Sequence, residues 1–186
     1  MRVITGSARG RRLITLEGES VRPTTDKVKE AMFSAIQFEI EGRQVLDLFA
    51  GSGQLAVEAL SRGAAHAVLV DAAKSSLAVA EKNLTATGLM ERARLVNSDS
   101  LSYLSSCRER FDLAFLDPPY RAGLLPRALP LVAEHMNPGG TILCEHPVGE
   151  ELPETVGGFS QYRSRKYGKI MVTLYRRMAE EGRNLE

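Results

Sequence analysis

Between residues 44 and 145, short runs of hydrophobic residues alternate with segments in which hydrophobic residues recur at helical spacing. Short apolar runs typical of buried strands lie at 44–48, 66–71, 93–97, 111–116 and 140–145. Between these runs, apolar positions recur at helical spacing over about 54–62, 74–87, 100–107 and 123–136. Strands that alternate with helices predict a parallel, doubly wound sheet with helices on both faces.

Hairpin patterns lie at both ends of the chain. Residues 159–166 and 170–176 flank a short turn and predict an antiparallel hairpin that closes the sheet. With the five parallel strands, this hairpin predicts a mostly parallel, seven-stranded α/β sheet. At the other end, residues 2–5 and 12–15 flank a turn region with two glycines, which predicts an N-terminal β-hairpin.

The length and charge of the chain refine this organisation. With 186 residues, 44% of them hydrophobic, the chain fits one domain and a small appendage. We expect a basic hairpin extension over residues 1–20 and the main domain over residues 21–186. The net charge is only +1, but residues 1–12 and 155–179 contain basic residues and no acid. Such basic ends predict contact with a polyanion. The arginines of the hairpin are Arg2, Arg9, Arg11 and Arg12.

Several classes of protein do not fit this composition. Cys107 and Cys144 are far apart, so we expect two reduced thiols and a cytoplasmic protein. Three scattered histidines suggest no metal site. The N-terminus lacks the apolar stretch of a signal peptide, and no apolar run is long enough to span a membrane. We therefore expect a monomer without a metal or a membrane partner.

The first strand of the main domain runs into a glycine turn and then into a helix. Gly51 and Gly53 would let the backbone approach a ligand, and the N-terminus of the helix would point at it. Asp47, at the strand end, would repel the pyrophosphate of a dinucleotide but attract the ammonium group of S-adenosylmethionine. The turn therefore predicts a site for that cofactor, with Phe49 and Ser52 beside the glycines.

Further acids lie at the ends of the next two strands. Asp71 follows Gly53 by 18 residues, a spacing at which an acid binds ribose hydroxyls in NAD and S-adenosylmethionine folds. Asp99, preceded by Ser98, ends the third strand, where a carboxylate can accept from the adenine amino group. Because parallel strands end at one edge of a sheet, we expect these residues in one cofactor site.

The fourth strand ends in Asp117, Pro118, Pro119 and Tyr120. This pattern is the signature of methyltransferases that modify an exocyclic or amide nitrogen. The carboxylate and a backbone carbonyl can accept hydrogen bonds from both N–H groups of a flat amino group. The prolines fix φ and remove competing donors. The aromatic ring can stack on an extruded base. We therefore expect these four residues to be catalytic.

Taken in order, the motifs resemble class I S-adenosylmethionine-dependent methyltransferases, and more closely the RsmD family. That family methylates the N2 amino group of a guanine in bacterial small-subunit ribosomal RNA. The resemblance covers nearly the whole chain, and the segment at 22–26 and the basic hairpin are its specific part. The motifs that carry it lie at 4–6, 9–13, 22–26, 28–30, 45–53, 58–64, 83–84, 117–120 and 123–125.

The resemblance implies a Rossmann-like class I fold, S-adenosyl-L-methionine as the cofactor and the 16S rRNA of the small ribosomal subunit as the partner. The implied activity is of the 16S rRNA (guanine 966-N2)-methyltransferase type, in which 966 is the position of the guanine in the rRNA. It also implies that Arg22 joins the hairpin arginines in binding RNA. Ala73 stands where an acid is common two residues after the ribose acid, so Asp71 must serve alone. Glu145 matches a glutamate of the family.

Other functions remain open at this point. The Asp-Pro-Pro-Tyr motif also fits adenine-N6 methylation of DNA or methylation of a protein glutamine, although DNA enzymes usually carry a further target-recognition region. A non-catalytic RNA-binding assembly factor on the same fold is an alternative of another class. A nicotinamide oxidoreductase lacks a plausible acid or base for hydride transfer. Transfer of labelled methyl groups separates these classes.

Overall fold

Eight strands of the described residues form one sheet at the centre of the molecule. In this computed structural model, residues 1–16, 25–119 and 123–177 are described. The strands are β1 (Gln44–Asp47), β2 (His66–Asp71), β3 (Ala93–Asn97), β4 (Phe111–Leu116), β5 (Met136–Pro147), β6 (Thr155–Val156), β7 (Phe159–Tyr167) and β8 (Ile170–Arg177). Their order across the sheet is β3-β2-β1-β4-β5-β8-β7-β6.

The topology confirms the predicted parallel sheet and its closing hairpin. β1 to β5 run parallel, whereas β8 is antiparallel to β5 and β7 is antiparallel to β8. The predicted count of seven strands is wrong by one, because β6 adds an eighth at the edge beyond β7. β6 has two residues, which is too short to produce an alternating pattern of apolar positions.

In the part of the chain that the structure describes, five helices cover the sheet on both faces. They are α1 (Asp26–Ala35), α2 (Gln54–Ser61), α3 (Lys74–Ala86), α4 (Ser100–Ser106) and α5 (Leu124–Glu134), with a short 3-10 turn at Met90–Arg92. One hydrophobic core cluster contains residues of α1, α2, α3 and the segment 1–16, which we call the N-terminal segment. The other contains residues of α4 and α5. The Thr25 hydroxyl caps α1 by accepting the Val28 N–H at 3.3 Å. Within the described residues, no helix is long and apolar enough to cross a membrane.

α2 has no solvent face, because the N-terminal segment covers its outer side. Every residue of α2 is buried. In its middle, the Glu58 carboxylate accepts the backbone N–H groups of Ile4 and Thr5 at 2.8 and 3.0 Å. The same carboxylate pairs with Lys29, which is also fully buried, and with Arg62. A charged network inside the core therefore holds the N-terminal segment on the helix.

Over the described residues 1–16, the N-terminal segment pairs with itself at one antiparallel bridge, between Arg2 and Arg12. Its apolar side chains Val3, Ala8 and Leu13 are buried in the core of the main sheet. The segment thus presents apolar residues inward, while its arginines are exposed.

Gly6 is expected to tolerate no side chain. Its φ is +91°, and a Cβ there would lie 1.8 Å from the Ser61 carbonyl oxygen. We expect Gly6→Ala to lower the free energy of unfolding by more than about 2 kcal/mol, as measured by denaturant titration. Gly10→Ala is the matched control, because Gly10 has φ +80° with nothing within 4 Å of the added Cβ. It should cost only about 1 kcal/mol, and equal costs for both variants would contradict the steric explanation.

Candidate active site

A cavity of about 460 Å³ lies where β1, β2, β3 and β4 end. The loop after each of these strands contributes to its wall, as expected for the carboxyl edge of a parallel sheet. The N-terminal segment forms a further part of the wall through Met1, Thr15 and Leu16. The volume falls within the range of small-molecule and cofactor sites.

Most of the sequence-predicted site residues meet in this cavity. Those that line it are Phe49, Gly51, Ser52, Asp71, Asp99, Asp117, Pro118 and Pro119. Asp47, Gly53 and Ser98 do not line it. Tyr120 and Arg22 fall outside the described residues, so their roles stay predictions.

Gly53 packs against its neighbours instead of facing the cavity. It lies at the N-cap of α2 with φ +77°. A Cβ on it would lie 3.0 Å from both the Ala80 Cβ and the Leu69 Cδ2. The glycine thus lets α2 begin close against β2 and α3, which places the N-terminus of α2 at the cavity.

Asp47 lies buried behind the glycine turn, with 1% of its surface exposed. Its Oδ2 accepts the Ala56 N–H at 3.2 Å, while its Oδ1 has no hydrogen-bond partner among the described residues. Burial raises the pKa of this carboxyl to about 7, and the nearby charge of Asp71 adds to the rise. Gln54, the first residue of α2, lines the cavity, and its Oε1 is also buried without a hydrogen-bond partner in the described part of the chain. Within the described residues, two acceptors at the turn therefore lack a donor.

Asp71 locks the glycine turn to the loop after β2. Its Oδ2 accepts the Gly51 N–H and its Oδ1 accepts the Ala73 N–H, both at 2.8 Å. Each carboxylate oxygen can accept a second hydrogen bond, so the side chain keeps capacity for a ligand. Asp71 thus shapes the cavity and also lines it.

Asp99 is both a helix cap and a residue of the cavity wall. Its Oδ1 accepts the Ser102 N–H at 2.9 Å at the start of α4. This backbone hydrogen bond lowers the pKa of the exposed Asp99 carboxyl, which therefore stays ionised at neutral pH. The Ser98 hydroxyl donates to the Asp99 carbonyl at 3.0 Å and orders the loop.

The Asp-Pro-Pro segment enters the cavity from the centre of the sheet. β4 pairs with both β1 and β5, and the Leu48 N–H donates to the Phe115 carbonyl at 3.1 Å. Asp117 is half-buried, Pro118 is buried and Pro119 is exposed. Because proline has no N–H, neither proline can donate a backbone hydrogen bond into the cavity.

Several residues that line the cavity were not predicted from the sequence. Ser76 and Ser100 lie just beyond the acids of their loops, where counting onward from each strand end would have found them. Thr15 and Leu16 carried no local signal, because only the folded chain brings them to the glycine turn. Among the described residues, no group of three or more histidine, cysteine or acidic side chains could hold a metal ion.

Comparison with known proteins agrees with this architecture. Residues 1–176 match the family model described as "Conserved hypothetical protein 95". "Putative rRNA methyltransferase YlbH" of Bacillus subtilis is 41% identical, with 95% of this chain and 99% of that protein covered. "Ribosomal RNA small subunit methyltransferase D" of Escherichia coli K12 is 37% identical, with 97% and 91% covered. The solved structure of "Putative methyltransferase yhhF" from Escherichia coli superposes with a TM-score of 0.84 at 36% identity, with 97% and 99% covered. The chain therefore belongs to the Conserved hypothetical protein 95 family, which is the RsmD family that its motifs resemble.

Proposed function

We propose that this protein transfers a methyl group from S-adenosylmethionine to the exocyclic N2 of a guanine in 16S rRNA of the small ribosomal subunit. The specific target is the guanine 966 type of the family. One observation carries the proposal: Asp117 and the two prolines share a cavity with the glycine turn and with Asp71 and Asp99. The name of the Escherichia coli relative, a small-subunit rRNA methyltransferase, supports the choice of RNA.

The residues that line the cavity, together with Asp47 behind the glycine turn, fit the cofactor. Among the described residues, no donor reaches the buried acceptors Asp47 Oδ1 and Gln54 Oε1, and an ammonium group supplies donors and a positive charge. Asp71 would accept from the ribose hydroxyls, and Asp99 from the adenine amino group. When bound, S-adenosylmethionine supplies an electrophilic methyl group on its sulfonium.

The chain's own contribution to the chemistry is to orient the nucleophile. The lone pair of a guanine N2 is delocalised into the ring, so the amino group is a poor nucleophile. The Asp117 carboxylate and the Pro118 carbonyl would accept hydrogen bonds from the two N–H groups of this amino group. These bonds would orient its lone pair toward the methyl group. Correct alignment of this kind can supply much of the rate of a transfer reaction. Tyr120 would stack on the extruded base.

The RNA-binding surface extends from the N-terminal segment. Arg2, Arg9, Arg11 and Arg12 are exposed, and we propose that they bind RNA phosphates together with Arg22. The basic residues of β7 and β8 would form a second contact. We also propose that residues 1–20 act as an RNA-binding extension of the catalytic domain at 21–186, in a cytoplasmic monomer.

Labelled methyl transfer tests the proposed function. Purified protein and tritium-labelled S-adenosylmethionine are mixed separately with small subunits, large subunits, duplex DNA and ribosomal protein. We expect label in small-subunit rRNA alone. Label in DNA or protein would favour the other nitrogen methyltransferases, and RNA binding without any transfer would favour a non-catalytic assembly factor.

Replacing Arg9, Arg11 and Arg12 with alanine should weaken RNA binding without affecting the cofactor. We expect the Michaelis constant for small subunits to rise about tenfold or more, because phosphate contacts supply affinity. The slope of log affinity against log salt concentration should fall by about one per lost contact. Cofactor affinity, measured by calorimetry, should stay unchanged.

The matched control removes three arginines from the opposite edge of the sheet. Arg43 directly precedes β1, Arg94 is the second residue of β3, and Arg108 precedes β4. All three therefore lie at the amino ends of these strands, away from the cavity. Their replacement changes the net charge equally and should leave the salt slope unaltered. Equal losses of RNA affinity in the two triple variants would mean that the effect comes from net charge and not from contacts of Arg9, Arg11 and Arg12.

A further inference from the structure

Asn83, in the C-terminal half of α3, joins two segments that are remote in sequence. Its side-chain Oδ1 accepts the Ile14 N–H at 2.8 Å, and its Nδ2 donates to the Ile14 carbonyl at 2.9 Å. The same Nδ2 donates to the Ser52 carbonyl in the glycine turn, also at 2.9 Å. The residue is 1% exposed, so its bond to Ser52 is buried, whereas its two bonds to Ile14 are partly buried.

The segment that Asn83 holds is part of the cavity. Thr15 and Leu16 follow Ile14 directly and line the wall. Leu16 approaches the glycine turn so closely that its Cδ1 would lie 3.6 Å from a Cβ on Gly51. Asn83 thus fixes the distance between the N-terminal segment and the turn that we propose to bind the cofactor.

The chemistry of these contacts favours an amide side chain. Ile14 presents one donor and one acceptor, and Ser52 presents a second acceptor. A primary amide supplies one acceptor and two donors and therefore matches the whole set. An apolar residue at this position would leave one N–H and two carbonyl groups without a partner, which is costly in a buried site.

We propose that Asn83 is a positioning residue for the cofactor, holding Thr15 and Leu16 as a fixed wall against the glycine turn. This inference rests on the proposed function, because it takes the cavity to be the S-adenosylmethionine site. The segment also carries the arginines that we propose to bind RNA. Asn83 therefore joins the RNA-binding surface to the cofactor turn through one side chain.

Calorimetry with S-adenosylhomocysteine tests the role of Asn83 without any need for RNA. The variants are Asn83→Leu and the nearly isosteric Asn83→Asp, which keeps the acceptor for Ile14 but loses both donors. We expect each to raise the dissociation constant by about tenfold. In turnover assays the Michaelis constant for the cofactor should rise, while kcat at saturating cofactor stays within about threefold.

Ser61→Ala is the matched control, because Ser61 anchors the same segment away from the cavity. Its hydroxyl accepts the Ala8 N–H at 2.9 Å and donates to the Thr5 carbonyl at 2.7 Å. This variant should leave the dissociation constant within about twofold of wild type. Hydrogen exchange should speed up at the Ile14 amide in Asn83→Leu, which removes its acceptor, and at the Ala8 amide only in the Ser61→Ala control.

Two results would overturn the inference. One is a dissociation constant within twofold of wild type for folded Asn83→Asp protein. The other is an equal loss in Ser61→Ala, which would mean that anchoring the segment anywhere has the same effect. If wild type binds S-adenosylhomocysteine but methylates no guanine, the proposed substrate is wrong, and the comparison of variants still decides the role of Asn83.

Discussion

Asp117→Ala is expected to reduce methyl transfer by a factor of about 10³ or more while affinity for S-adenosylhomocysteine stays within about twofold of wild type. The separation follows from the geometry, because Asp117 enters the cavity from β4 whereas the proposed cofactor contacts come from β1, β2 and β3. Turnover with labelled cofactor and calorimetry with S-adenosylhomocysteine measure the two quantities.

Asp112→Ala is the control for this variant. Asp112 lies near the start of β4, at the opposite end from Asp117, and its Oδ2 accepts the Gln44 N–H at 2.9 Å. Its removal should leave the rate within about threefold of wild type in protein that remains folded. Near-normal turnover by Asp117→Ala would refute the assignment of the catalytic motif.

Asp47→Asn should stabilise the free protein and weaken cofactor binding. Burial raises the pKa of Asp47 to about 7 from an ordinary value of 3.8. The folded state therefore holds this proton more tightly than the unfolded state. The stability that the carboxyl contributes is present below about pH 4 and is lost as the pH rises through about 7.

An asparagine avoids this loss because it cannot ionise, and its carbonyl can still accept the Ala56 N–H. At pH 8 we expect Asp47→Asn to be more stable than wild type by about 1 kcal/mol or more. Near pH 4 the two proteins should be similarly stable. Denaturant titrations at the two pH values give this comparison.

Cofactor affinity should change in the opposite direction. Wild type should bind S-adenosylhomocysteine more tightly as the pH rises through about 7, because the ionised carboxylate attracts the ammonium group. Asp47→Asn should bind about tenfold more weakly at pH 8 and lose this dependence. Unchanged affinity at pH 8 would mean that Asp47 serves the fold alone.

Most elements of the main sheet follow from local spacing and could be predicted closely, although β5 extends over Met136–Pro147 and is longer than the predicted 140–145. β4 was predicted at 111–116 and is observed at Phe111–Leu116, and α4 was predicted at 100–107 and is observed at Ser100–Ser106. Parallel strands buried on both faces give continuous apolar runs, and the acids at their ends are conspicuous in such a pattern. The acids Asp71, Asp99 and Asp117 meet in one cavity for this reason.

Features that depend on long-range contacts could not be predicted in this way. Glu58 looks like a solvent-facing position of a helix but is fully buried, because the N-terminal segment covers α2. Asn83 lies among polar residues of α3, and its partners are 69 and 31 positions away. Asp71 was expected to bind ribose, yet its bonds to Gly51 and Ala73 also shape the turn. Such roles depend on which backbone groups the fold leaves without partners.

The most direct test of the central claim is mass spectrometry of nucleosides from small-subunit rRNA of a strain lacking this protein. We expect N2-methylguanosine to be missing at one position, to return when the wild-type gene is restored, and to stay missing with the Asp117→Ala variant. An rRNA whose N2-methylguanosine is unchanged by the deletion would contradict the proposed function.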